Sequence, residues 1–157
     1  MRATGITWLI ALCCLTLAGC AGRPLLAPPS PSPTPPALPP FVATADPEIA
    51  IPQLIMAERE SAHRGDLALL AQLWADDAHI IDRRGTPDPG DDYRWGDRAA
   101  ILDRYVVAVF LAPPPAFDSL PQPVIDVTAN GAVAHNGNDR WTFTWADGRW
   151  WIQELAY

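Results

Sequence analysis

Three carboxylates fall where the apolar pattern points inward, and a carboxyl group among apolar side chains is the raw material of general acid–base catalysis. Glu58 sits four residues after Leu54 and three after Ile55, on the stripe Leu54, Ile55, Ala62 that the helical period builds. Asp82 shares a period-two face with Ala78 and Ile80, leaving His79, Ile81 and Arg83 on the other face. Glu154 falls opposite Trp141 if Asp147-Gly148 makes a type I′ turn, which also sets Trp145 against Trp150 and Phe143 against Ile152. An enzyme site would need at least two of these three acids converging on an open cavity. Glu58 buried alone needs either an arginine partner, with Arg98 and Arg140 the candidates, or a raised pKa that keeps it neutral.

The elements that must position these groups read as three helices followed by strands. Pro52 fits the first turn of a helix that Gly65 ends. Asp66 caps a second helix, Leu67 to Ala75, closed by Asp76-Asp77, and a strand follows from Ala78 to Arg83. Arg84 to Gly96 is a turn-rich loop whose acids Asp88, Asp91 and Asp92 lack the alternating spacing of a calcium loop. Asp97 caps a third helix, Arg98 to Phe110, with Ile101, Leu102, Tyr105 and Val109 at core spacing, and Pro113-Pro114-Pro115 forbids its continuation. Strands then run over Val124 to Thr128, Ala132 to His135, Arg140 to Trp145 and Arg149 to Tyr157, separated by Asn130-Gly131, Asn136-Gly137 and Asp147-Gly148. The expected architecture is α+β, with three N-terminal helices packed on a curved antiparallel sheet. Its outer face would carry Arg140, Thr142, Thr144, Trp151, Gln153 and Leu155, a surface suited to solvent or to a homodimer.

Composition removes several classes of chemistry. All three cysteines, Cys13, Cys14 and Cys20, precede the folded part, which excludes a disulfide framework, a Cys/His zinc site or a cysteine nucleophile within it. His63, His79 and His135 have no spacing that would assemble a metal site, and nothing in the pattern calls for a cofactor. His135 would face Asp126 across a two-residue Asn130-Gly131 turn, an Asp–His pair with no nucleophile beside it. There is no lysine, and from Asp46 onward 18 acids face nine arginines. Such a surface repels nucleic acid, which needs a basic stripe.

The N-terminus points to export. Met1-Arg2 is a short positive start, Ile6 to Leu17 is an apolar run too short to span a bilayer, and Leu17-Ala18-Gly19-Cys20 resembles the bacterial lipobox. Residues 1–19 are therefore expected to be a signal peptide and Cys20 a lipidated anchor that ties an extracytoplasmic domain to the membrane. Nine prolines crowd into Pro24 to Pro40. At about 3.1 Å per residue an extended proline-rich stalk of this length reaches roughly 50 Å. The linker occupies 20–44 and the globular domain 45–157.

Within that domain, Gly65-Asp66-Leu67, Leu73-Trp74-Ala75-Asp76-Asp77-Ala78-His79-Ile80-Ile81-Asp82, Trp95-Gly96-Asp97-Arg98-Ala99-Ala100-Ile101-Leu102-Asp103-Arg104-Tyr105 and the closing Asp147-Gly148-Arg149-Trp150-Trp151-Ile152 together resemble the nuclear transport factor 2-like superfamily. The resemblance implies a cone-shaped α+β fold with a pocket between helices and sheet. The superfamily includes ketosteroid isomerases, SnoaL-type polyketide cyclases, scytalone dehydratases and limonene epoxide hydrolases alongside members without known activity. In the isomerases the Ala-Asp-Asp-Ala-x-x-x-Asp segment ends in the general base, so the resemblance implies that role for Asp82. Where the isomerases place an oxyanion-hole tyrosine this chain has Glu58, which donates a hydrogen bond only when protonated. The expected function is binding of a small apolar ligand or a protein partner by a membrane-tethered domain without catalysis, with Trp141, Glu154, Tyr105 and Trp95 as candidate ligand contacts. The alternative is an isomerase, cyclase or dehydratase type of enzyme with Asp82 as general base and Glu58 as general acid.

Overall fold

A computed structural model describes Pro39 and Thr44–Tyr157; the expected signal peptide, Cys20 and nearly all of the proline-rich segment lie outside the described residues. Pro36–Tyr157 forms one compact unit. Its core runs from Ala50 to Leu155 and draws on every helix and on the central strands, so this unit holds the hydrophobic core that a domain needs to fold alone. No helix among the described residues is long and apolar enough to cross a membrane.

Helix α1 spans Pro47–Arg64. It begins five residues before the expected start at Pro52, because Asp46 caps it by accepting from the Glu48 N–H at 3.0 Å and Pro47 occupies the first turn. Pro52 lies inside the helix and cannot donate to the Glu48 carbonyl, a loss that burial of Ala50, Ile51, Leu54 and Ile55 offsets. Gly65 ends α1 at φ 71°, a left-handed conformation that favours glycine. Helix α2, Leu67–Leu73, is capped by Asp66 through the Leu69 N–H at 2.9 Å. It stops two residues short of the expected Ala75, and the chain enters strand β1, Trp74–Asp82, without a loop. Asp76 and Asp77 are exposed strand residues and not a helix end.

Inside the acidic loop lies an element the pattern did not announce, strand β2 over Tyr93–Trp95, which pairs antiparallel with β1. Helix α3, Arg98–Arg104, starts on the Asp97 cap and continues as a π-helical turn over Tyr105–Val109, where the Phe110 N–H donates to the Tyr105 carbonyl at 2.8 Å. Strands β3, Val124–Val127, β4, Gly131–Asn136, β5, Asp139–Ala146, and β6, Arg149–Ala156, form the expected meander. Order across the sheet is β2-β1-β6-β5-β4-β3. The sheet is mixed rather than wholly antiparallel, since β1 runs parallel to β6.

Two registers differ from expectation, and one of them decides the site. His135 pairs with Val124 and not with Asp126, because four residues, 128–131, separate the paired ends of β3 and β4. The Asp147-Gly148 turn has positive φ at both residues, 53° and 73°, and sets Trp145 against Trp150 and Phe143 against Ile152 as the pattern required. Beyond that, Thr142 pairs with Glu154 and Trp141 with Leu155, which leaves Gln153 as the extra residue of a β-bulge. The bulge inverts the alternation of β6. Leu155 turns inward beside Trp141, and Glu154 turns to the opposite face.

Candidate functional site

Between α1, the π-helical turn after α3 and the ends of β5 and β6 lies a cavity of about 410 Å³, open at one end. Ala62, Ala108, Val109, Ala112, Pro114 and Leu155 supply its apolar wall. Its polar groups are Glu58, Arg59, Arg104, Tyr105, Asp139 and Tyr157. A mostly apolar cleft of this size with a few convergent polar groups is the usual form of a small-molecule site. The π-turn adds to this, because such turns recur where a helix must re-aim side chains into a site.

Glu58 and Tyr105 meet at the cavity floor. The helical stripe of α1 carries Glu58 inward until it is 5% exposed, and α3 delivers Tyr105 to 1% exposure. The Tyr105 hydroxyl donates to Glu58 Oε1. Burial pushes the Glu58 pKa up from its ordinary value, opposed by the Tyr105 hydrogen bond and by the charges of Arg59 and Arg104. Tyr105 is pushed well above its ordinary range, first by burial and then by the Glu58 charge. The salt bridge expected as one explanation of Glu58 is not formed: Arg98 pairs with Asp76 and Arg140 with Glu154. A carboxyl desolvated in this way can donate as well as accept a hydrogen bond.

Around this pair the charges are arranged in two ways. Arg59 on α1 forms an ion pair with Asp139 of β5 at 3.8 Å, and Asp139 is raised from its ordinary pKa by burial. Arg104 stacks over the Trp95 ring at 4.8 Å and the Tyr157 ring at 5.6 Å, and donates to the Tyr157 hydroxyl. Burial raises the Tyr157 pKa, and the Asp82 charge adds to the rise while Arg104 opposes it.

The structure thus brings together two of the residues expected at a site, Glu58 and Tyr105, and separates the others. Asp82 is half-buried at the end of β1 opposite Tyr93, near enough for its charge to reach Tyr157, but is not among the cavity's lining residues. Trp95 lies behind Arg104 and supports it without lining the cavity. Trp141 is 1% exposed in the core, stacked on Phe143 at 6.3 Å and tilted against Trp74 at 6.5 Å. Glu154 is on the far face of the sheet, where Glu154 Oε2 meets His79 Nε2 at 2.7 Å and Oε1 accepts from Arg140. The bulge at Gln153 is the physical reason for its displacement. Arg59, Arg104, Asp139 and Tyr157 were not foreseen. Arg59 and Arg104 are chain neighbours of Glu58 and Tyr105, a signal available in the sequence, whereas Tyr157 faces the cavity only because of the bulge. Among the described residues no cluster of three His, Cys, Asp or Glu side chains could hold a metal ion.

No family model matches the chain, and no curated protein matches it. Solved structures do. The domain is similar to a nuclear transport factor 2-like protein of unknown function from Pseudomonas putida, with a TM-score of 0.53 and 15% identity over 69% of this chain and 83% of that one. It is similar to a protein of unknown function with a cystatin-like fold from Nostoc punctiforme, TM-score 0.51 and 12% identity over 72% and 90%. A third is a nuclear transport factor 2-like protein with a cystatin-like fold from Novosphingobium aromaticivorans, TM-score 0.50 and 19% identity over 68% and 77%. Identities this low speak for the fold alone, and the helices set against a curved six-stranded sheet are a nuclear transport factor 2-like fold of the cystatin-like kind.

Proposed function

We propose that the protein is an exported lipoprotein, held to the cell membrane by lipid on Cys20, whose domain binds a small, largely apolar ligand in the Glu58–Tyr105 cavity without chemical turnover. The observation that carries the ligand-binding part is the cavity itself: about 410 Å³ of space with an apolar wall and a hydrogen-bonded carboxyl–phenol pair at its floor. Such a floor receives a carbonyl or hydroxyl of the ligand, and the apolar wall takes the remainder. Support for export and anchoring comes from the sequence, through the apolar run and Leu17-Ala18-Gly19-Cys20. A catalytic alternative has Glu58 as general acid and Asp82 as general base. It draws on the raised pKa of Glu58, but Asp82 is not among the residues lining the cavity.

The cavity is tested with the neutral fluorescent probe N-phenyl-1-naphthylamine and the Pro36–Tyr157 unit. Micromolar binding is expected, and Ala108→Trp, which fills the cavity from its wall, is expected to weaken it at least tenfold. Absence of probe binding, or indifference to Ala108→Trp, refutes ligand binding in this cavity. Anchoring is tested separately in the full chain. Cys20→Ser is expected to move the protein from the membrane fraction to the soluble fraction, and full retention in membranes refutes lipidation at that residue.

A further inference from the structure

Five arginines among the described residues are not exposed, and their partners differ in one telling respect. Arg59, Arg98 and Arg140 each pair with a carboxylate. Arg149 donates to the Gln72 carbonyl and lies over the Trp151 ring at 3.7 Å. Arg104 has no carboxylate within 4.0 Å among the described residues, although it lines the cavity. The aromatic rings of Trp95, Tyr105 and Tyr157 surround its guanidinium at 4.8, 5.9 and 5.6 Å. Rings take the flat faces of a guanidinium, whereas its five N–H groups radiate in its plane. One of these donates to the Tyr157 hydroxyl, and the remaining donors have no acceptor among the described residues. A half-buried positive charge held this way, beside an apolar wall, has in-plane donors free for an anion that enters the cavity, since the nearby Glu58 is outside ion-pair distance and is hydrogen-bonded by Tyr105.

We propose that the ligand of this cavity is an apolar carboxylic acid whose carboxylate is received by Arg104, while its body lies along Val109, Ala112 and Leu155. This deepens the ligand-binding reading above and rests on it. The neighbouring charges favour the assignment. Asp139 is engaged by Arg59, Glu58 is desolvated and hydrogen-bonded by Tyr105, and the Tyr157 hydroxyl offers a second donor beside Arg104. Arginine matches a carboxylate edge to edge with two parallel hydrogen bonds, so the preference should depend on the fork and not on charge alone.

The test measures competition of octanoate and 1-octanol against bound N-phenyl-1-naphthylamine at pH 7.5, on the Pro36–Tyr157 unit. The two competitors share a chain, and the alcohol is the more hydrophobic, so any preference for octanoate must come from its head group. Octanoate is expected to compete about tenfold or more better than 1-octanol. Arg104→Gln is expected to weaken octanoate at least tenfold and to leave 1-octanol within about threefold, and Arg104→Lys to fall between the two. Equal or better competition by 1-octanol overturns the proposal, as does a preference for octanoate that survives Arg104→Gln. Should Arg104→Gln fail to fold, the wild-type ratio and Arg104→Lys decide. Failure here with the probe still bound leaves the ligand-binding reading standing; failure of the probe itself to bind removes both.

Discussion

Trp141→Ala is expected to lower the unfolding free energy by about 3–5 kcal/mol, a large share of the roughly 5–15 kcal/mol that holds a domain of this kind together. The side chain is 1% exposed, packed between Trp74 and Phe143 and opposite Leu155, so its removal leaves a void that the surrounding strands cannot close. Trp141→Phe should be far milder, below about 1.5 kcal/mol, because the indole N–H is buried without a hydrogen-bond partner and its loss sacrifices no bond. Urea denaturation of the Pro36–Tyr157 unit measures both. A loss for alanine under about 1 kcal/mol would show that Trp141 is not the core residue described here. The same pair separates packing from recognition. If Trp141 touched the ligand, phenylalanine would weaken probe binding more than it weakens folding.

The second large effect is on the pH dependence of stability. The folded-state pKa of Glu58 lies above its unfolded value because the folded protein desolvates the carboxylate. Below the unfolded value, near 4.5, Glu58 is protonated in both states and imposes no penalty. As pH rises above it, the unfolded chain ionises first, so this group's contribution to stability is lost progressively until the folded pKa is passed. Each pH unit between the two values costs about 1.4 kcal/mol. Glu58→Gln keeps an acceptor for the Tyr105 hydroxyl and cannot ionise. The difference in stability between Glu58→Gln and the wild type should therefore grow in favour of glutamine from about pH 4 upward and level off once the folded pKa is passed. A difference that stays flat from pH 4 to 8 would mean that folding leaves the Glu58 pKa unshifted. The neutral hydrogen-bonding floor of the cavity would then be lost as an idea.

Much of the architecture could be read from local chemistry. The four late strands fall within two residues of their expected limits because glycine turns and alternating aromatic residues are local signals. Glu58 and Tyr105 were legible as inward-facing because each lies on an apolar helical stripe. What escaped depends on distant partners. Trp74-Ala75-Asp76-Asp77 carries no strong strand pattern and becomes strand where β6 runs alongside it in parallel. Strand β2 has three residues in a proline- and glycine-rich loop, too few to display alternation, and exists because β1 offers it an edge. Pro52 drew attention from Asp46-Pro47, the true helix start. At the site, Arg104 and Asp139 carry no periodic mark at all. Polar residues at the ends of elements are placed by how those elements meet.

The bulge at Gln153 makes the lining of the cavity depend on strand register as well as on side-chain identity. Strand parity is a binary quantity, and one supernumerary residue sets it for everything downstream. With Gln153 present, the last positions offered to the cavity are Leu155 and Tyr157. Pairing the same residues without the bulge would set Gln153 opposite Thr142 and Glu154 opposite Trp141, presenting Glu154 in place of Leu155 as a third carboxyl near Glu58 and Asp139 and withdrawing the phenol that steadies Arg104. Deleting Gln153, in contrast, would remove the bulge and leave Leu155 and Tyr157 where they are. Homologous domains of the same length that close this hairpin without the bulge are thus expected to differ in the charge their ligands carry, even where every aligned side chain is the same.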